Sequence, residues 1–497
     1  MANDVYASLG KDRKRFLNWQ WRVILVTMIG YAMFYFVRKN FSVAMPGLTA
    51  EYGINNKSFG IIIAISSVVY GFSRFVNGYL VDRIKGRIVM ALGLLLCALS
   101  NFLFGYGVNL SKIITGVDAA GPDMISTFIL IMGVTIILNQ YFQGFGYPPC
   151  ARILPHWIHP SQLATKMSVW NCSHSIGAAL ASLVCGQILG HLGEDMSNDQ
   201  GVVNTIITNL TNTGVEHSNA VAQAASYAQH IGAWQLCFYI PAALAVVTAI
   251  FIFWGLRDEP KDAGLPDLPD TGLGGLKENN KSAKARKKFE MEMVWKNRWV
   301  WTFCIANLFV YIVRMGVLDW GPKFLTEDRG LNIKSAVWVV IAFELSGVLG
   351  TLVAGWVTDR FFKGKGHRTC VLCMAGAAIF MTIFTLYDGN SIPLIVALLS
   401  CAGFCIYGPQ ALIGIELGNQ ATKEASARAN GIAGIIGYIG SAISGLLVGF
   451  IADAYGWSTV FVTIVIMAII GMFVLISMWA APRDGYERAS KINYDEE

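Results

Sequence analysis

GYLVDRIKGR, residues 78–87, closes one apolar run and precedes another. It returns as GWVTDRFFKGKG at 355–366, with Asp82 and Asp359 277 positions apart. Each copy puts a glycine before an Asp–Arg pair and follows it with basic residues and another glycine. In such a turn the Asp can cap or pair at a helix end while the cations stay among lipid headgroups. Asp82, Arg83, Asp359 and Arg360 therefore read as cytoplasmic gating latches rather than ligands.

The sequence on either side of both loops is that of a membrane protein. Of 497 residues, 54% are hydrophobic and 14% charged, against about 25% charged in soluble domains, and the mean hydropathy is +0.50. Residues 1–20 are polar and basic with no small-residue cleavage site, so the first apolar run is expected to remain as a helix. Twelve runs approach the ~20 residues that span a bilayer: 22–45, 59–81, 88–107, 125–147, 163–190, 232–256, 299–320, 335–358, 369–387, 392–415, 428–451 and 457–480. The N-terminus, the loops from even to odd spans and the C-terminus, with the span ends that adjoin them, hold 29 of the 38 Lys and Arg residues. Lys57, Lys112, Lys323, Arg329 and Lys334 fall in the opposite loops, which predicts both termini in the cytoplasm. Residues 257–298 read as a cytoplasmic linker, Pro/Gly-rich and then basic, between an N-terminal half (1–256) and a C-terminal half (299–497). Its basic part reads as a tether on the positive side. Residues 191–231 read as a long extracytoplasmic loop without Lys or Arg, carrying an NLT sequon at Asn209.

Four cations lie inside spans, away from their cytoplasmic ends: Arg38, Lys39, Arg74 and Arg314. Such a charge costs about 2.5–3.5 kcal/mol on insertion scales and marks function. In span 1, Tyr31, Tyr35 and Arg38 stand at i, i+4 and i+7; in span 7, Asn307, Tyr311 and Arg314 repeat that spacing 276 positions later. These positions share one helix face, so each half presents a polar-aromatic stripe ending in an arginine. Parallel repeats of this kind place a substrate site near the midplane.

Arginine offers a planar fork that matches phosphate oxygens and stays charged. The competing reading pairs the arginines with the carboxylates Asp319 and Glu344. Lys39 is turned about 100° from Arg38 on a helix; assigning both acids to Lys39 leaves both arginines for an anion. The four cations and two acids leave two surplus positive charges. A phosphomonoester carries about −1.5 to −2 near neutral pH. Arg74, sharing a face with Tyr70 and Asn77, either lines the cavity or snorkels outward. His174, with Trp170 and Asn171 one turn before it, suits a phosphate partner because imidazole titrates near about 6.5. Tyr407 and Tyr438 are further hydroxyl donors.

YFVRKNFSVAMP, YGFSRF, QGFGYPPCAR, SVWNCSHS, NLFVYIVRMGVLDWGPKFL and IYGPQALIGIE together resemble the organophosphate:phosphate antiporters of the major facilitator superfamily, with the glycerol-3-phosphate and hexose-phosphate branches nearest. The resemblance covers almost the whole chain. It implies an all-α fold of 12 transmembrane helices in two pseudo-symmetric six-helix halves, in a bacterial inner membrane. It implies Arg38 and Arg314 as phosphate ligands, with His174 beside them. Arg74, Tyr31, Tyr35, Tyr70, Trp170, Asn171, Tyr311, Tyr407 and Tyr438 would line the cavity, and Lys39, Asp319 and Glu344 would form a salt-bridge network. No cofactor, metal or nucleic acid is implied, and the chain is expected to act as a monomer, with the bilayer, organophosphate and inorganic phosphate as its partners. Arg74 stands where the family usually has Lys. Asn430 and Ala433 stand where the hexose-phosphate branch has Asp and Lys, which favours a small polyol phosphate. No Walker A motif or catalytic constellation is present in the sequence, so an enzyme is not expected. A sugar-phosphate receptor on the same scaffold and a proton-coupled anion symporter, with Glu344 as its carboxylate, are the alternatives.

Overall fold

The computed structural model describes residues 6–117, 121–158, 160–267, 283–387, 389 and 391–492. Backbone polar groups have no water to bond in hydrocarbon, so a chain this apolar crosses as helices. The long helices are α1 (Arg13–Tyr52), α2 (Asn56–Arg83), α3 (Gly86–Gly105) and α4 (Pro122–Gln143). Next come α5 (Pro160–His191), α6 (Ala233–Gly255), α7 (Arg298–Glu327), α8 (Ile333–Phe362) and α9 (Gly366–Leu386). After a turn at 144–146, α4 is continued by the helix Tyr147–Trp157. α10 is Ile392–Thr422, and the long stretch Arg428–Ile476 breaks at Gly456 (φ 78°, ψ 172°) into α11 (428–455) and α12 (457–476). Each of the twelve expected spans falls on one of these helices.

Two compact units form. One comprises residues 1–40, 72–181 and 235–280; the other comprises 41–71, 182–234 and 281–497.

In the first unit, polar side chains of α3 and α4 hold the turn of α1 that carries Arg38. Asn101 and Asn139 donate to the Val37 carbonyl at 3.1 and 3.0 Å, and Gln143 donates to the Phe34 carbonyl at 2.9 Å. Interhelical bonds of this sort contribute about 0.6 kcal/mol each in membranes. Gly177 of α5 lies on α1 so closely that a Cβ there would stand 2.2 Å from the Ala32 carbonyl oxygen. Only glycine permits that approach.

The second unit repeats the arrangement. A Cβ at Gly440 of α11 would stand 2.4 Å from the Leu308 carbonyl oxygen of α7. Ala32 and Leu308 are 276 positions apart, the spacing already seen between Arg38 and Arg314; Gly177 and Gly440 are 263 apart. Both spacings hold at the next contacts. Tyr31 stacks on Trp170, with centroids 4.9 Å apart, where Asn307 donates to the Ala433 carbonyl at 2.9 Å. The pairs α1–α5 and α7–α11 are thus repeats in packing as well as sequence. At the far ends of α1 and α7 the same register pairs Glu51 with Trp234 and Glu327 with Trp457, each by an indole Nε1–H bond of 3.1 Å.

Residues 191–231, read from sequence as a loop, form two helices, Gln200–Asn212 and His217–Ala228. Asp199 caps the first by accepting from the Gly201 and Val202 N–H groups. Ile206, Leu210, Ala220, Ala224 and Ala228 bury a small core with Ala50 of α1. An antiparallel bridge between Glu194 and Ile231 joins the two ends of the insert. The sequon residue Asn209 is helical, and its amide donates to the Ala50 carbonyl at 3.0 Å.

Lys323, counted above with the loops, lies inside α7, which runs on to Glu327, and it is fully buried. Its Nζ stands 2.6 Å from Glu327 Oε1 and donates to Thr49 Oγ1. The i,i+4 spacing lets α7 carry this charge inward because its counter-charge lies one turn on. Asp453 of α11 accepts from the Asn56 and Lys57 N–H groups at 3.1 and 2.6 Å, capping the first turn of α2.

Candidate functional site

The expected site residues fall into two clusters, one in each compact unit. In the first, the α1 stripe is complete. Tyr31 packs on Tyr35 with centroids 5.4 Å apart, Tyr35 packs on His174 at 5.4 Å, and the Arg38 guanidinium carbon is 5.6 Å from the Tyr35 centroid. Trp170 is buried and donates from Nε1 to Thr27 Oγ1 at 3.1 Å, so its ring orientation is fixed from α1. His174 donates from Nδ1–H to the Asn171 carbonyl, and its Nε2 lies 3.3 Å from the Ser175 hydroxyl. With Nδ1 as the donor, Nε2 of a neutral ring is an acceptor, so donating to an anion there requires the imidazole to gain a proton. Val169, Ile176 and Leu180 form the exposed apolar stripe of α5. Asn171, also exposed, is about 200° around the helix from Val169. α5 therefore has a second accessible face, polar, away from the lipid-suited one, and His174 shares it.

Tyr147 belongs to this cluster and was missed. Its ring packs on Tyr31 and Trp170 at 6.2 and 6.1 Å, and the Arg74 guanidinium carbon is 5.3 Å from its centroid. A signal was present, since Tyr147 begins YPP and Tyr407 begins YGP, 260 positions apart. Arg74 is half-buried. Lys39 is half-buried beside Arg38.

In the second cluster Arg314 is 6% exposed. Its Nη2–H donates to Tyr407 Oη at 2.9 Å, and its Cζ lies 4.4 Å from the Tyr407 ring centroid. Glu344 Oε1 is 3.9 Å from Nη2. This corrects the assignment that gave Glu344 to Lys39 and left Arg314 without an acid: Glu344 stands in the Arg314 pocket. Arg314 Nε and Glu344 Oε2 are buried without hydrogen-bond partners among the described residues. A fork with a spare donor is what a phosphate oxygen requires. Tyr438 packs between Tyr311 and Tyr70, with centroids at 5.6 and 4.7 Å. Phe343 packs on Tyr407 at 6.1 Å. Asp319 is half-buried on α7.

Asp359 and Arg360 are exposed at the end of α8. The side chains of Asp82 and Arg83 lie outside the described residues. No group of three or more His, Cys, Asp or Glu suited to a metal occurs among the described residues.

The profile of the Major Facilitator Superfamily matches residues 27–414 and 334–495. The chain belongs to the major facilitator superfamily. Over 464 residues it is 33% identical to the glycerol-3-phosphate transporter of Bacillus subtilis (strain 168), covering 92% of each chain. It is 29% identical to the "Probable hexose phosphate transport protein" of Chlamydia trachomatis, covering 96% of this chain and 95% of that one. It is also 29% identical to the membrane sensor protein UhpC of Escherichia coli (strain K12), covering 93% and 92%. Within the superfamily these relatives place it in the organophosphate:phosphate antiporter family, as the motifs implied. The fold agrees with a solved bacterial homolog of the human lysosomal transporter Spinster. The TM-score is 0.69 at 12% identity, covering 92% of this chain and 96% of that one. The chain is a multi-pass membrane protein of transporter fold and not an enzyme; its relatives being bacterial, that membrane is the inner one.

Proposed function

We propose that the chain is a secondary antiporter exchanging an organophosphate for inorganic phosphate by alternating access. Glycerol-3-phosphate or a hexose 6-phosphate is the organic substrate, with the small polyol phosphate preferred. The observation that carries this reading is the buried Arg314, its fork oriented by Tyr407 with a donor to spare, at the repeat position of Arg38. The two arginines serve as phosphate ligands. His174 adds a donor once protonated. Arg74, Tyr31, Tyr35, Tyr70, Trp170, Asn171, Tyr147, Tyr311, Tyr407 and Tyr438 shape the rest of the site. Lys39 and Asp319 hold the helices that carry the arginines. Glu344 shares Arg314 until phosphate takes its place. The two six-helix halves, joined by residues 257–298, work as a monomer with both termini cytoplasmic. Asp82, Arg83, Asp359 and Arg360 latch the cytoplasmic side.

Counterflow in proteoliposomes tests the proposal. Vesicles loaded with unlabelled phosphate are expected to take up labelled phosphate, with glycerol-3-phosphate competing better than glucose-6-phosphate. Specific binding with no uptake of any of the three would favour a receptor, the reading to which the 29% identity with a membrane sensor also points.

A further inference from the structure

The two-helix insert holds α1 and α7 at equivalent atoms. Asn209, on the first insert helix, donates its side-chain amide to the Ala50 carbonyl in the last turn of α1 at 3.0 Å. Gln223, on the second, donates its amide to the Thr326 carbonyl in the last turn of α7 at 2.8 Å. Ala50 and Thr326 are 276 positions apart, the repeat spacing of the two helices. A helix leaves its last four carbonyls without intrahelical donors, and here one small element supplies a donor to each of two repeat-related helix ends. The insert is also fixed on its own side, since Ala50 is fully buried in its core and the Glu194–Ile231 bridge closes its base.

We infer that the insert is a clamp on the α1 and α7 ends, and that opening the transporter on this side requires the Gln223 bond to α7 to break. The insert continues covalently from α5 into α6 and packs on α1, so it moves with those helices when they part from α7, with which it forms one compact unit in this conformation. The Gln223 bond to Thr326 joins the insert to α7, beside the Lys323–Thr49 and Asp453–Asn56 bonds described above, and it adds to the cost of separating the two helix ends. This inference rests on the transport reading only for its functional consequence.

The test uses the full chain carrying Gln223→Cys and Thr326→Cys, in proteoliposomes, with a short bis-methanethiosulfonate reagent. Wild type treated in the same way is the control, its ten cysteines being buried or half-buried. Cross-linking is expected to lower phosphate exchange at least tenfold, and reduction to restore it. Exchange that continues with the cross-link formed overturns the clamp, as does failure of the two thiols to cross-link. If neither wild type nor the reduced variant exchanges phosphate, the transport reading fails. The clamp is then decided by hydrogen–deuterium exchange in detergent. Asn209→Ala is expected to speed exchange several-fold over residues 48–53, and Gln223→Ala over 326–331. Unchanged exchange in both overturns it.

Discussion

Arg314→Lys is expected to weaken inorganic phosphate binding by about 10- to 100-fold. The substitution keeps the charge and loses the planar fork. Hydrogen bonds to charged groups contribute about 1.5–3 kcal/mol each, and about 1.4 kcal/mol is a tenfold change in affinity. A lysine ammonium also cannot keep both the stacked position 4.4 Å from the Tyr407 ring centroid and the 2.9 Å bond to its hydroxyl. Arg38→Lys should fall in the same range, because Arg38 ends the equivalent stripe. Equilibrium binding of labelled phosphate in detergent measures both. Wild-type affinity in either variant would remove that arginine from the site.

Lys323→Ala should be the most destabilising single change. It leaves the Glu327 carboxylate 5% exposed with the Trp457 indole as its neutral donor. Removing one partner of a buried ion pair costs about 3–5 kcal/mol, because the remaining charge stays desolvated. Removing both charges is far milder by the same reasoning, so Lys323→Met with Glu327→Leu should recover most of the loss. Thermal unfolding in detergent, followed by tryptophan fluorescence, decides the matter. A single variant that unfolds at the wild-type temperature would contradict the pairing.

The residues that announced the fold were those whose physics is local. A run of about 20 apolar residues has one way to cross a bilayer, so the twelve spans were legible. The arginine stripes were legible because i, i+4, i+7 spacing needs no tertiary knowledge. What failed depended on partners distant in sequence. Lys323 looked like a span boundary because a lysine ends an apolar run; Glu327 stands one turn on, but the distant Thr49 hydroxyl and the packing that bury the pair are not in the local sequence. Glu344 went to Lys39 because both are charged, but only the packing of α7 against α8 and α10 sets it beside Arg314. Residues 191–231 were too polar for a span. Yet Ala220, Ala224 and Ala228, and Ile206 and Leu210, stand at i+4 intervals, the mark of a small amphipathic helix pair.

On the proposed reading, four cations and two acids inside the spans leave two positive charges for a phosphate to neutralise. A phosphate that engaged both arginines would then be held better when the halves close on it than when they part. Only such differential affinity shifts an equilibrium between states. Reorientation should therefore be fast when loaded and slow when empty, so that the carrier returns with another phosphate-bearing ligand. The most direct test is efflux of labelled phosphate from loaded proteoliposomes, with and without phosphate or glycerol-3-phosphate outside. Rapid efflux only when an exchangeable anion is present is the expected result. Equally rapid efflux into buffer with none would contradict obligatory exchange and favour a uniporter or a proton-coupled symporter.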